Sequence, residues 1–461
     1  MPTPADPRGR SRLLTVVVAT ALVAAVSACS QEEAPESVGP PQSAPPPRAE
    51  DGGLPVPPNL AKGLDRALDR RATSLLDGDR EAFTTGLDQT APGFVEAQQD
   101  YFDNLAQLPL GTFSYELDRE SLVRSGDTYW VVVEVRLELD GFDEAPVLTR
   151  DRFRFAPGAK SGRLMLSSVT DRAWEEANDV RDQPWDTVPI EVRTGSGVLA
   201  IFDEGSVAAA TPLVRSVELG ISNVATEVPY DWSQSVVVYA LSDTAFLSSL
   251  DNLPGGDPET VDGVAFPVKA TPDGNQVVST RLALHPRMLE SSGLVRDRLV
   301  RHEITHVAMG RRDDRAPIWL SEGIAEYVSV QPLAPQDRRI TEVALAAAKA
   351  GVTDLPVDKT FNDADSATNY GLSWWVCEYL AATYGPGTLW TLLEELDGPA
   401  AQDSERLDAL LGLTSGQLAR QGAELLIAKY DPAALEPAPE PTFAPFPEPT
   451  PSDDTPSVPP D

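Results

Sequence analysis

Apolar residues recur every three or four positions between residues 60 and 105. That spacing lines one face of an α-helix, so it predicts two helices in this region. Four runs follow in which apolar and polar residues alternate, with Gly- or Asp-rich turns between them, as expected of β-strands. The four predicted strands are TFSYEL, TYWVVVEVRLEL, VLTRDRFRF and RLMLSSV. Helices followed by a meander predict an α+β fold, in which the helices pack on one face of a curved antiparallel sheet.

A second block of elements begins after the junction RDQPWDTVP, whose prolines indicate a domain boundary between residues 183 and 184. Its strand candidates are GVLAIFD, SVVVYAL, GVAFPV and QVVSTRLALH, and VAAATPLVRSVELGISNVA is its first long helix. From Leu289 onward every long segment has helical periodicity. We therefore predict an α+β domain at residues 59–183. A second α+β domain, with a mixed sheet and a helical half, is predicted at residues 184–430.

The two ends of the chain lack such patterns. Residues 29–58 are rich in Pro, Glu and Ser, and residues 431–461 have prolines every few positions and no basic residue. Segments of this composition bury too little apolar surface to offset the entropy lost on ordering. We therefore expect a disordered linker at residues 29–58 and a disordered acidic tail at residues 431–461.

The first 28 residues combine basic residues with an apolar stretch that is too short for a stable membrane span. Arg8, Arg10 and Arg12 precede LLTVVVATALVAAV, and the small residues of VSAC end at Cys29. This is the pattern of an export signal. The VSAC ending resembles the bacterial lipobox, in which the cysteine is acylated and becomes the first residue of the mature protein. The resemblance implies a bacterial lipoprotein, anchored through Cys29 on the extracytoplasmic face of the cell membrane. The alternative is a plain secretory signal with an incidental cysteine.

Composition narrows the classes of partner. The formal net charge of −34 argues against a nucleic-acid partner, because phosphates would be repelled. It also disfavours binding to anionic lipid surfaces by charge alone. The chain has two cysteines, and if Cys29 carries lipid then Cys377 has no disulfide partner. Cys377 lies in an apolar helical pattern and is expected to be a small core residue.

The segment RHEITHVAMG, residues 301–310, holds two of the three histidines of the chain. Positions i and i+4 of a helix lie on one face about 6 Å apart, so His302 and His306 can converge on one metal ion. Glu303 lies beside them, where it can take a proton from a metal-bound water. Two polar residues on an ordinary helix are the alternative. In so histidine-poor a chain, however, this spacing would arise by chance in only about one chain per thousand.

Catalytic zinc requires three protein ligands and one open position. A third ligand is offered by APIWLSEGIAEYVS, in which Glu322 follows His306 by sixteen residues. Pro317 suits the first turn of a new helix, which places Glu322 one turn in. Glu326 falls on the same helix face four positions later. Two carboxylates at that spacing are expected if one binds metal and the other orients a histidine.

HExxH followed by WLSEGIAEY resembles the gluzincin zinc peptidases, in particular the peptidase-MA-like group of exported bacterial proteins. Thermolysin and the membrane-alanyl-type aminopeptidases belong to the wider clan. The resemblance implies that His302, His306 and Glu322 bind zinc, that Glu303 is the general base and that Glu326 supports the first histidine. The interval between the histidines and Glu322 is slightly shorter than in the aminopeptidases. No equivalent of their exopeptidase signature is evident, so a preference for amino termini is not supported.

Two further residues are weighed against this family pattern. Gluzincins need a donor for the developing oxyanion, usually Tyr or His. Tyr370, in ATNYGLSWWVCEYL, resembles the tyrosine that begins the helix after the glutamate helix, and the alternative is a tyrosine packing at a helix start. His285 ends the strand before the zinc helix. We expect it to be a partly exposed polar strand end rather than part of the cleft.

The order of elements at residues 59–175 resembles the cystatin-like roll of the nuclear-transport-factor-like superfamily. Such rolls hold a ligand in their concave face or serve as spacers and dimerisation modules. No cluster of His, Asp or Arg in this region suggests catalysis, so we expect the second role.

These patterns together predict a membrane-anchored, extracytoplasmic zinc metallopeptidase that hydrolyses a peptide or protein substrate in the cell envelope. Its cofactor would be Zn²⁺. The alternative is a non-catalytic, zinc-containing surface lipoprotein that acts as a binding protein or scaffold. Such a scaffold would have no need of Glu303. A zinc hydrolase of non-peptide amides also stays open.

Overall fold

The computed structural model describes residues 56–431, except residues 58, 159–162, 252, 273, 292 and 398–402. The predicted signal segment, the lipidation residue Cys29, nearly all of the predicted linker and the tail beyond residue 431 lie outside the described residues. Helices and sheets are both present, which confirms the mixed α+β class. Within the described part, no helix has the length and apolar character needed to cross a membrane.

The first half of the described chain consists of helices followed by an antiparallel sheet. The helices are α1 (Leu60–Leu76), α2 (Arg80–Thr85) and α3 (Pro92–Leu105). The strands are β1 (Leu110–Leu117), β2 (Val123–Ser125), β3 (Thr128–Leu139), β4 (Val147–Pro157) and β5 (Leu164–Ser168). They pair in the order β1-β3-β4-β5, with β2 beside β3, so the four predicted strands are confirmed.

The segment between the two predicted helices contains a third, short helix that the sequence pattern does not predict. It forms the short helix α2, because the side chain of Asp79 accepts a hydrogen bond from the backbone N–H of Ala82 and caps the first turn. Helix α2 buries Phe83, whose ring lies 5.1 Å from that of Phe102 in α3. The three helices and the sheet share one hydrophobic core, as the sequence pattern predicts.

Two short helices, α4 (Arg172–Ala177) and α5 (Pro184–Thr187), lead into a second sheet. Its strands are β6 (Ile190–Gly195), β7 (Val198–Asp203), β8 (Val236–Ala240), β9 (Gly263–Lys269) and β10 (Val277–Leu284). The order is β6-β7-β8-β10-β9. The central pairs are parallel and the two outer pairs are antiparallel, so the sheet is mixed and β9 lies at one edge. The helices α6 (Ala210–Glu227), α7 (Ala245–Ser248) and α8 (Pro286–Leu289) lie between these strands in the chain or directly after them.

Both faces of the second sheet are covered, which explains why β7 and β8 are apolar at nearly every position. Alternate residues such as Ala200 and Val238 pack against α6 and the helices that follow the sheet. Their neighbours, such as Ile201 and Val237, belong to the same hydrophobic core as the first half of the chain. The two predicted α+β blocks therefore share a core across this sheet.

Polar contacts also join the first half to the second sheet. Asp143, in the β3–β4 connection, forms an ion pair with Arg281 of β10 at 2.8 Å, and both side chains are almost completely buried. Arg281 also donates to the hydroxyl of Tyr239 at 2.8 Å. The backbone N–H of Leu148 donates to the carbonyl of Ala270, just after β9, at 2.8 Å. The first half thus supports the β9–β10 hairpin.

The rest of the described chain is helical, as predicted. These helices are α9 (Gly293–Met309), α10 (Ile318–Val330), α11 (Glu342–Ala350), α12 (Ser366–Tyr384), α13 (Gly387–Glu395), α14 (Asp403–Leu411) and α15 (Ser415–Tyr430). Helix α10 packs very closely on α12 at Gly323, where a Cβ atom would lie 2.6 Å from the carbonyl oxygen of Ser373. Cys377 is completely buried in the same contact, which confirms it as a core residue.

Candidate metal centre

Helices α9 and α10 bring three predicted ligands together. Nε2 of His302 lies 3.2 Å from Oε2 of Glu322 and 3.2 Å from Nε2 of His306. Nε2 of His306 lies 3.5 Å from the same carboxylate oxygen. Within the described part of the chain, this is the one group of three or more His, Cys, Asp or Glu side chains close enough to hold a metal ion.

The size of this triangle fits a metal ion. Ligand atoms at about 2.0–2.1 Å from a tetrahedral centre are about 3.3–3.4 Å from one another. The three observed separations, 3.2, 3.2 and 3.5 Å, lie on either side of that value. Two imidazole nitrogens and one carboxylate oxygen also leave a fourth position for water or substrate.

Local structure explains why the two histidines point at α10. Val300 and Ile304 lie on the opposite face of α9 and are buried against the second sheet and α6. Helix α9 ends at Met309, and the next residue, Gly310, has a φ of 57°, a left-handed conformation that suits glycine. The 3-10 helix Gly310–Arg315 then turns the chain. Helix α10 begins at Ile318, so Pro317, predicted in its first turn, is the residue just before it.

The second nitrogen of each histidine faces a carboxylate. Nδ1 of His302 lies 3.6 Å from Oε1 of Glu326, the residue expected to support it. Glu326 is also paired with Arg298 from α9. Nδ1 of His306 lies 3.0 Å from both carboxylate oxygens of Asp313, a residue that sequence reasoning missed. Asp313 lies in the 3-10 helix, where no helical periodicity could have linked it to His306.

The charges of neighbouring side chains shift the pKa values of the three predicted ligands. Burial alone would lower the pKa of His302 and of His306, but the neighbouring carboxylates outweigh it and raise both values. Burial would raise the pKa of Glu322, but the two histidines outweigh it and hold that pKa well below its usual range. The triangle therefore combines an ionised carboxylate with two imidazoles that are strongly polarised by acidic partners.

Glu303 is buried beside the triangle, with 5% of its surface exposed. Its carboxylate lies beside the backbone of Ala265 in the edge strand β9, which favours the ionised form. Burial raises the pKa of Glu303, and the negative charge of Glu322 acts in the same direction. A carboxylate with a raised pKa next to a metal-ligand cluster is typical of a general base.

Tyr370, in α12, also reaches this centre. Its ring centroid lies 6.3 Å from that of His302, and its side chain lies close enough to Glu322 for the charge of that carboxylate to raise its pKa. Burial, followed by the charges of Glu322 and Glu303, raises the pKa of Tyr370 well above its ordinary value. The phenol therefore keeps its proton and can act as a hydrogen-bond donor.

His285 belongs to a different local network. It is buried rather than partly exposed, contrary to the expectation from its place at a strand end. Its Nδ1 accepts a hydrogen bond from the backbone N–H of Arg287 at 3.1 Å, so the ring caps helix α8. Its Nε2 lies 3.4 Å from a carboxylate oxygen of Glu259.

No protein-family model matches this chain, and no curated protein gives a significant match to it. The resemblance to the gluzincins therefore depends on the motif residues alone. The structure supplies a physical counterpart, in which three donor atoms have metal-like spacing and an acid and a phenol lie beside them.

Proposed function

We propose that this chain is a zinc metallopeptidase in which His302, His306 and Glu322 hold the metal and Glu303 is the general base. The observation that carries the proposal is the triangle of ligand atoms with sides of 3.2, 3.2 and 3.5 Å. Two imidazoles and one carboxylate favour zinc over calcium or magnesium, which prefer all-oxygen sites. When bound, zinc would lower the pKa of a water and polarise the carbonyl of the scissile bond.

The residues around the triangle have matching roles. Glu303 accepts a proton from the attacking water at its carboxylate and passes it to the leaving amine. The backbone of Ala265 in β9 lies beside that carboxylate and favours its ionised form. Tyr370 donates its phenolic hydrogen to the oxygen that gains negative charge, since its raised pKa keeps the phenol protonated.

We also propose a specific fold for each half of the described chain. Residues 59–183 form helices and then an antiparallel sheet, which supports a cystatin-like roll. Residues 184–430 form a mixed sheet and then a helical half, which supports a gluzincin-like domain. We assign the first half a supporting role, because its buried Asp143 and its core residues pack on the back of the second sheet.

The proposed place of action is the extracytoplasmic face of a bacterial membrane, with a peptide or protein of the cell envelope as substrate. The lipobox-like VSAC that ends at Cys29 supports a lipid anchor. The variant Cys29→Ala should lose membrane attachment or stall before maturation, as followed by membrane fractionation. A variant that stays anchored and fully matured would refute the anchor.

Glu303→Gln tests the catalytic proposal. The substitution keeps the size of the side chain and one hydrogen-bond acceptor but removes the base. Cleavage of an unstructured protein or of a peptide library should therefore fall by about a hundredfold to ten-thousandfold. Zinc content, measured by mass spectrometry of the purified full-length chain, should stay near that of the wild type. Glu290→Gln is the matched control, because Glu290 is exposed and lies outside the centre.

Two results would contradict the proposal. The wild type could bind zinc but cut no peptide or envelope protein, or Glu303→Gln could retain full activity. The first result favours the non-catalytic alternative, a zinc-containing scaffold lipoprotein. The second result refutes Glu303 as the general base.

A further inference from the structure

The contact between His306 and Asp313 is the closest link between a ligand histidine and an acid outside the triangle. Both oxygens of Asp313 lie 3.0 Å from Nδ1 of His306. The corresponding contact at the other histidine, from Nδ1 of His302 to Glu326, is longer, at 3.6 Å. Glu326 is moreover shared with Arg298, whereas the second partner of Asp313 is the neutral hydroxyl of Ser321.

The 3-10 helix that carries Asp313 is anchored by contacts of residues before and after Asp313. The guanidinium group of Arg312 lies 3.9 Å from the ring centroid of Tyr230. Arg315 forms an ion pair with Asp397 at 2.8 Å. The Asp313 side chain is about one-fifth exposed, so it is neither deep in the core nor free in solvent. The direction of the Asp313 side chain is therefore set by two features. One is the 3-10 helix, which these contacts hold in place, and the other is the hydroxyl of Ser321 in α10, which donates a hydrogen bond to the carboxylate.

This arrangement connects the two helices that supply the metal ligands. Asp313 follows the histidine helix α9, and Ser321 immediately precedes the ligand Glu322 in α10. A carboxylate between them receives the Nδ1–H of His306 on one side and the hydroxyl hydrogen of Ser321 on the other. An accepted Nδ1–H leaves the lone pair of Nε2 directed at the triangle.

We propose that Asp313 is the positioning residue of His306: it fixes the ring orientation and tautomer in which Nε2 binds the metal, and Ser321 holds it in place. The inference rests on the metal-binding part of the proposed function and does not depend on peptide cleavage. Under this proposal each ligand histidine is oriented by its own carboxylate, and the two carboxylates differ in how closely they contact their histidines. Asp313 makes the tighter contact, and Glu326 makes the looser one.

The test measures Zn²⁺ affinity of the full-length chain by competition with a chromophoric chelator. Asp313→Ala should weaken Zn²⁺ binding by about ten- to a hundredfold, as the loss of an outer carboxylate does in other zinc sites. Asp313→Asn should give a dissociation constant between those of the wild type and of Asp313→Ala, because its amide oxygen can still accept the Nδ1–H. Ser321→Ala should weaken binding less than Asp313→Ala.

Asp314→Ala is the matched control, because Asp314 is the next residue of the same 3-10 helix and its side chain is exposed. Thermal unfolding of the metal-free chains separates positioning from a merely structural role, since positioning predicts similar stability for all of these variants without zinc. The proposal is overturned if Asp313→Ala binds Zn²⁺ within twofold of the wild type. It is also overturned if Asp314→Ala is equally impaired, or if Asp313→Asn is no better than Asp313→Ala.

A failure of the proposed function can be distinguished from a failure of the role proposed for Asp313. If the wild type binds no zinc, both the metal centre and the positioning role are refuted. If the wild type binds zinc without cutting peptides, only the peptidase assignment fails, and the affinity series still decides the role of Asp313.

Discussion

The close contact of helices α10 and α12 at Gly323 predicts an unusual effect of adding one methyl group. In Gly323→Ala the new Cβ would lie 2.6 Å from the carbonyl oxygen of Ser373 and 2.8 Å from Sγ of Cys377. Favourable contacts between such atoms begin at about 3.5 Å, so the helices must separate by roughly 0.5–1 Å. Ser373 contributes backbone rather than a flexible side chain, so little of this strain can be relieved locally.

The size of the effect follows from two opposing contributions. Overpacking a well-packed core costs about 1–3 kcal/mol. Replacing glycine by alanine within a helix gains about 0.5–1 kcal/mol. We therefore expect Gly323→Ala to lose up to about 2.5 kcal/mol of unfolding free energy, which is at most several degrees in Tm for a domain of ordinary size. Zn²⁺ affinity should also fall, because Glu322 precedes Gly323 and moves with it.

Gly63→Ala is the matched control for this prediction. Gly63 lies in α1, and a Cβ there would meet no atom within 4 Å. The same substitution should therefore raise the Tm and leave Zn²⁺ binding unchanged. The assays are thermal unfolding and chelator competition on the full-length chains. If Gly323→Ala is as stabilising as Gly63→Ala and binds zinc normally, the reasoning from helix contact is refuted.

Three further predictions follow from other buried groups. Glu322→Ala should abolish stoichiometric zinc binding, whereas Glu326→Ala should only weaken it, and the reverse order in metal analysis would exchange their roles. Asp143→Ala should cost about 3–5 kcal/mol in urea unfolding, because it leaves Arg281 charged and unpaired, and a loss below about 1 kcal/mol would contradict this. Burial raises the pKa of Asp151 to about 8. Since the folded chain then holds a proton that the unfolded chain releases near pH 4, stability from this group declines between about pH 4 and pH 8. Asp151→Asn should thus raise the Tm at pH 8 much more than at pH 4, and an equal shift at both pH values would argue against the assignment.

The elements that sequence predicts well are those with a repeating pattern. The strand TYWVVVEVRLEL alternates buried and partly exposed positions along most of its length, and alternation is visible in the sequence. His302 and His306 share a helix face for the same reason, and Glu322 lies on a second helix with a clear start. The sequence could place these residues in one site because helix geometry fixes the direction of each side chain relative to its neighbours.

Other features could not be predicted because they depend on contacts between distant segments. Asp313 lies on a 3-10 helix without repeating pattern, so nothing in the sequence indicates that it faces His306. The apolar run of β8 shows that both faces of the strand are covered but not by which elements. Its second face packs against the first half of the chain, and this contact is decided by tertiary structure alone.

The buried pair of Asp143 and Arg281 has a consequence for how the molecule forms. These residues are 138 positions apart, and Arg281 is made long after the sheet that carries Asp143. The first half is therefore synthesised before the strands that complete its core. Contacts over such distances slow folding, because the long intervening chain must be ordered first. A chain lacking residues 59–183 would expose Ile201 and Val237, and a patch of this kind promotes aggregation. The proposed metal ligands come later still, so every strand of the second sheet is synthesised before the residues of the centre.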